Sequence, residues 1–181
     1  ANADVTIVEI GGTIGEYQNI IFLEAARMLK QKYPRDVAIV MVSYLPIPGH
    51  VGEMKTKPTQ YASRSLNSVG LQADIILARA TVPIDDKRKE KIAIFCNTLP
   101  ERVVSAPDLE SIYDAPINYE KDGMGDILCD VLGLPRRADR GRSRRGCRLR
   151  ETAGGAGPAR VAEALRGVRA RGGRRRRAAG R

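Results

Sequence analysis

The residues best equipped for chemistry run from Gly52 to Gln60, in the order Gly-Glu-Met-Lys-Thr-Lys-Pro-Thr-Gln. Lys55 and Lys57 straddle Thr56, and Pro58 stands where a helix would begin. Proline is tolerated there because an N–H in the first turn has no intrahelical partner. The N–H groups of Thr59 and Gln60 are then expected to point out of the helix start, beside two ammonium groups and the Thr56 hydroxyl. Free amides, the positive end of the helix dipole and paired lysines together make a site for phosphate. By spacing alone, a capped helix start with two solvated lysines explains the segment as simply, so the rest of the chain has to decide. Glu9 is the second residue of interest, a carboxylate at the end of an apolar run and next to glycines. Mg²⁺ takes one or two carboxylates plus phosphate oxygens, and an acid at this place in an α/β protein suits that use. An acid that caps the next helix or pairs with a lysine is equally compatible with the position.

The elements that must position these residues alternate in type. Val5 to Ile10 is a short β-branched run of the kind that forms a buried parallel strand. It stops at Gly11-Gly12-Thr13-Ile14-Gly15, where glycines permit positive φ or close approach of a ligand. Ile20 to Lys32 reads as an amphipathic helix with Ile21, Leu23, Ala25, Ala26 and Leu29 in or near one face, ended by Pro34. Val37 to Tyr44 is expected as a second strand, followed by a loop with Pro46, Pro48 and Gly49. The lysine segment then opens a helix that runs to about Val69, where Gly70 stops it. Asp74 to Ala78, Asp86 to Cys96, Val103 to Ala106 and Gly125 to Leu132 follow as strand, helix, short strand and helix, with Pro107-Asp108 breaking the last strand. This order predicts an α/β fold with a mainly parallel sheet and flanking helices. Ligands of such sheets gather beyond the carboxyl ends of the strands, and Glu9, the glycine loop, the Lys55–Gln60 segment and Asp108 all fall there.

Composition divides the chain in two. Residues 1–135 carry 14 Lys and Arg against 18 Asp and Glu, whereas residues 136–181 carry 17 Arg, no Lys and 3 acids. The net charge of +10 therefore describes neither part. No apolar run approaches the roughly 20 residues of a membrane span. No basic n-region of a signal peptide opens the sequence. Trp is absent and aromatics are sparse, which argues against a base-stacking platform for nucleic acid. Cys96, Cys129 and Cys147 form neither a disulfide framework nor a zinc spacing, in keeping with a reducing cytoplasm. His50 on its Pro/Gly loop reads as a solvated residue, and Cys96 as a small core residue.

Taken in order, Val8-Glu9-Ile10-Gly11-Gly12-Thr13-Ile14-Gly15, Phe22-Leu23-Glu24-Ala25, the Gly52–Gln60 segment, Lys91-Ile92-Ala93-Ile94-Phe95-Cys96-Asn97 and Ser105-Ala106-Pro107-Asp108 with Ser111-Ile112-Tyr113 resemble CTP synthase. The resemblance covers residues 4 to about 134 and corresponds to the second half of the family's N-terminal synthetase (amidoligase) domain. It implies a fold related to dethiobiotin synthetase and the P-loop proteins, here incomplete. It also implies a ligase chemistry: Mg-ATP phosphorylates the uracil 4-oxygen of UTP, and ammonia released from glutamine by a separate C-terminal domain displaces the phosphate to give CTP. By motif match, Lys55, Thr56, Lys57, Pro58, Thr59, Gln60 and Lys91 would bind UTP, and also CTP as inhibitor. Pro107, Asp108 and Leu109 would lie against ATP, and Glu9 would hold Mg²⁺. Glu16, Tyr17 and Gln18 match the tripeptide that contacts CTP, although the common form there is Asp-Ile-Glu. The family assembles as homotetramers. Lysines and a metal-bound acid suffice for in-line phosphoryl transfer, which is mostly positioning and charge neutralisation.

No G-x-x-x-x-G-K-[ST] loop occurs in the sequence, and no Gly-x-Cys-x-Gly turn of a glutaminase. Within the family the first lies ahead of the strand that opens this chain and the second in the C-terminal domain. The expectation is a chain that supplies nucleotide- and Mg²⁺-contacting segments and is inactive alone. Residues 1–134 read as the partial synthetase domain and 135–181 as an arginine-rich disordered tail. The tail reads as an arm that binds nucleic acid through phosphates, as a linker, or as translation of a wrong frame in GC-rich DNA. The switch from mixed Lys/Arg to Arg alone, where the family's interdomain linker should start, favours the last. A nucleic-acid-binding protein acting through the tail is the rival function.

Overall fold

The computed structural model describes residues 5–50 and 52–135. Residues 5–9 belong to a separate unit from residues 10–135. In the first, the expected strand does not form: Val5 to Glu9 is irregular and exposed, Ile7 at 92%. β-Branched residues fit a pleated, half-buried surface, and this run forms no ladder among the described residues. The strand propensity of these residues is therefore not expressed, and Ile10 likewise carries no strand.

Residues 10–135 build an α/β layer structure around a three-stranded parallel sheet, β1 (Val40–Tyr44), β2 (Ile75–Ala80) and β3 (Val103–Pro107), ordered β1-β2-β3. Val42 pairs with Leu77 and Leu77 with Val104, so β2 is central. Its burial on both faces explains the near-continuous apolar run Ile75-Ile76-Leu77-Ala78. Five helices accompany the sheet: α1 (Ile20–Lys32), α2 (Lys57–Ser68), α3 (Asp86–Cys96), α4 (Ala115–Glu120) and α5 (Met124–Leu132).

Helix boundaries follow local chemistry. Asp85 caps α3 by accepting the N–H of Arg88 at 2.8 Å, and Asn97 ends it in the left-handed region. Gly70 (φ +77°) turns the chain after α2, and a Cβ there would come 2.8 Å from the Arg27 side chain. Met41, Ile76, Ala78 and Val103 on one sheet face pack with Leu66, Ile92, Ala93 and Cys96 of α2 and α3 to form the main core. On the other face Ile75 and Val104 are buried, but β1 leaves Val40, Val42 and Tyr44 exposed.

The two sheet edges differ. Beside β3, the Asp122 carboxylate accepts the Ser105 N–H at 2.6 Å and the Lys89 ammonium at 2.7 Å, while Asn118 donates to the Ser105 carbonyl at 3.2 Å. These bonds close that edge. β1 pairs only with β2 and its outer edge carries no ladder among the described residues.

β1 begins later than the expected Val37. The Val37 carbonyl is taken by Lys30 at 2.6 Å and the Ile39 N–H by the Asp74 carboxylate at 2.7 Å, and only the Ile39 carbonyl reaches the start of β2, accepting from Asp74 and Ile75 N–H at 2.8 and 3.2 Å. The expected single face of α1 is also divided. Leu23 is buried with Ala26 and Leu29 partly so, while Ile21 and Ala25 point away with exposed Met28. A helix with apolar residues on opposite sides can bury only one side against one layer.

Candidate functional site

The carboxyl ends of all three strands come together. Leu45 N–H donates to the Arg79 carbonyl at 2.7 Å, and Asp108 N–H to the Ala80 carbonyl at 2.9 Å. The loop after β1 returns to the start of α2 at this same end. It is held by Gly52 N–H to the Pro48 carbonyl (3.0 Å) and Lys55 N–H to the Pro46 carbonyl (2.9 Å), with Gly52 at φ +64° making the bend. Met54 and Thr56 are buried, so Glu53, Lys55 and Lys57 take the outward positions of an alternating stretch.

Pro58 occupies the first turn of α2, as its sequence position predicts. The expectation of free N–H groups at both Thr59 and Gln60 needs correction, because the Gln60 N–H donates to the Thr56 carbonyl at 3.2 Å. The helix starts at Lys57, one residue before the proline, which brings Gln60 within reach of the first carbonyl. Thr56, Thr59 and Gln60 also turn their side chains inward. Thr59 is fully buried, and its hydroxyl accepts from Ser43 of β1 at 2.9 Å. Gln60 Nε2 donates to Thr56 Oγ1 at 3.2 Å. These three therefore brace the helix start, and the outward surface belongs to the lysines.

Lys55 Nζ lies 2.8 Å from Glu53 Oε2. The Lys55 hydrogen bond and charge hold the Glu53 carboxyl below the usual carboxylate range, with smaller contributions from Arg88 and Lys91. The charge of Lys91 on α3 is thus felt at Glu53, although Lys91 is far from it in sequence. Arg88 is a further cation there; its own partner is Asp85, the cap of α3. Nothing in the motif pattern singled out Arg88, but its place three residues after a capping acid turns it toward the helix start.

Asp108 pairs with Arg79 at 3.5 Å at the shared strand edge, Pro107 ends β3, and Leu109 is exposed beside them. Gly12 (φ +82°) and Gly15 (φ +99°) use the conformational freedom expected of the glycine loop. Asn19, almost fully buried, fastens that loop to the start of α1 by donating to the Thr13 carbonyl at 2.6 Å. Glu16, Tyr17 and Gln18 lie between these anchors with exposed side chains. Glu9 is exposed in its separate unit.

His50 is exposed and Cys96 is buried in the core, its thiol pushed up by burial against weaker opposing effects from Ser63 and Arg64. The Cys96 Sγ approaches the Thr59 carbonyl at 3.9 Å. Cys147 and the arginine-rich residues 136–181 lie outside the described residues. No helix among the described residues is long and apolar enough to cross a membrane. No group of three or more His, Cys, Asp or Glu suited to hold a metal occurs among them.

The fold is that of an α/β protein with a parallel sheet, and its lysine-bearing helix start lies beyond the carboxyl ends of the strands, where ligands of such sheets gather. The family described as CTP synthase N-terminus matches residues 1–134, and the chain belongs to that family. It is 45% identical over 135 residues to the CTP synthase of Methanocaldococcus jannaschii, which covers 74% of this chain and 25% of the relative. It is 46% identical over 135 residues to that of Thermococcus kodakarensis, with the same shares, and 44% identical over 139 residues to that of Symbiobacterium thermophilum, covering 76% and 26%. The chain therefore spans about a quarter of the length of these relatives.

Proposed function

We propose that this chain is the nucleotide-gripping part of a CTP synthase, a ligase that converts UTP to CTP with ATP and glutamine-derived ammonia. The observation that supports the reading is the outward placement of Lys55 and Lys57 at the start of α2, beyond the carboxyl ends of the strands, in a chain of the CTP synthase family. Lys55 and Lys57 reach the UTP phosphates from the buried brace of Thr56, Thr59 and Gln60, and Lys91 reaches them from α3. Charge-assisted hydrogen bonds to phosphate are about twice as strong as neutral ones, and several cations on one polyanion reinforce each other. CTP uses the same phosphate grip, with Glu16, Tyr17 and Gln18 toward its base. Pro107, Asp108 and Leu109 take the ATP side of the edge.

The donor chemistry suits Mg²⁺ carried in on the nucleotide. Glu9 is one carboxylate, and Mg²⁺ with phosphate oxygens and water asks for only one or two. A Mg²⁺ ion held by the phosphate oxygens would neutralise their charge. The chain's own residues hold and orient the phosphates.

Calorimetric titration of the chain with UTP tests the reading. Lys55→Ala and Lys57→Ala should each weaken binding roughly tenfold or more, the scale of one hydrogen bond to a charged group. Equal affinity in the wild-type chain and both variants would overturn it.

A further inference from the structure

The alternation that points Lys55 and Lys57 outward also places an acid in their row. Glu53 occupies the outward position before Lys55, and its side chain is 60% exposed. Its carboxylate is 2.8 Å from the Lys55 ammonium, within reach of the charges of Arg88 and Lys91. Arg88 already has Asp85, so the Lys55 ammonium is the cation that Glu53 occupies.

We propose that Glu53 is a built-in competitor for the nucleotide's phosphates, holding Lys55 in the empty site and favouring ligands charged enough to displace it. This rests on the reading of the lysine row as a phosphate grip. A single phosphate meets the carboxylate on comparable terms at Lys55 and gains little from the exchange. A polyphosphate displaces it and also engages Lys57 and Lys91. The freed carboxylate stays in water, so release costs little desolvation. Glu53 thus raises the threshold for both, and only an anion that also engages Lys57 and Lys91 clears it.

The test is a titration of the ¹⁵N-labelled full chain with inorganic tripolyphosphate and with orthophosphate, reading the amides of Met54 to Lys57. Those resonances separate this site from the arginines of residues 136–181. Glu53→Gln should tighten tripolyphosphate binding about fivefold, the upper end for release of an exposed ion pair, and should tighten orthophosphate binding at Lys55 by a similar factor. In a Lys55→Ala background, Glu53→Gln should change neither affinity. Glu53→Ala should act in the same direction as Glu53→Gln, which guards against a new bond from the glutamine amide. Unchanged or weaker tripolyphosphate binding in both Glu53 variants would overturn the proposal, as would the absence of any shift at these amides. UTP binding no tighter than tripolyphosphate would instead count against the pyrimidine reading and leave the Glu53 result standing.

Discussion

The Ser43–Thr59 hydrogen bond ties the central layer to the helix that carries the lysines, and its removal has a calculable effect. Thr59 is fully buried and Ser43 nearly so, with 2.9 Å between their hydroxyl oxygens. Thr59→Val keeps the shape, so no cavity opens, but it leaves the Ser43 hydroxyl buried beside a methyl group. A buried polar group stripped of its partner costs about 1–3 kcal/mol, and the added apolar contact offsets a part of that. The expected net loss is about 1.5 kcal/mol, which for a domain of this size lowers the midpoint of thermal unfolding by about 5 °C. Circular dichroism melts give the change directly. Ser43→Ala added to Thr59→Val removes both partners and should recover most of the loss, since replacing a bonded pair together is nearly neutral. A Thr59→Val chain as stable as wild type, or a double variant in which the two losses simply add, would refute the role assigned to this bond.

Asp122→Ala should destabilise more, by about 2–4 kcal/mol in denaturant unfolding, because it leaves both the Ser105 N–H and the half-buried Lys89 ammonium without their carboxylate. Cys96 should react with a thiol reagent only as the chain unfolds, whereas partly exposed Cys129 should react in the native state. Burial raises the folded Cys96 thiol, so its contribution to stability is present below the unfolded cysteine range and is lost as pH rises through the folded value; melts at increasing alkaline pH should fall more in wild type than in Cys96→Ala. The open edge and exposed Val40, Val42 and Tyr44 of β1 form a patch that favours self-association, so Val42→Lys should reduce the apparent mass in sedimentation at a fixed protein concentration.

Much of the framework was readable before the structure because local chemistry determines it. Asp85 and Asn97 delimit α3, Pro58 and Gly70 bracket α2, and the continuous apolar run of β2 belongs to a central strand. What escaped depends on partners far away in sequence. Val5 to Ile10 has strand composition but no ladder among the described residues, and Val37 to Ile39 gives its backbone groups to Lys30 and Asp74. α4 is not among the expected elements; its Pro116 sits in the first turn, where proline is compatible with a helix. At the site, the proline-led helix start beside Lys55 and Lys57 was legible from the sequence. The inward turn of Thr59 toward Ser43 and the use of the Gln60 N–H were not, since each depends on how α2 forms and seats on the sheet.

The central claim is that UTP is gripped by the lysine row at the strand edge, and the most direct measurement is the map of backbone amide shifts on adding UTP to the ¹⁵N-labelled full chain. The largest shifts are expected at Lys55, Thr56, Lys57 and Lys91, reproduced by CTP and lost in Lys55→Ala. Shifts confined to residues 136–181, with the Lys55 to Gln60 amides unmoved, would contradict it.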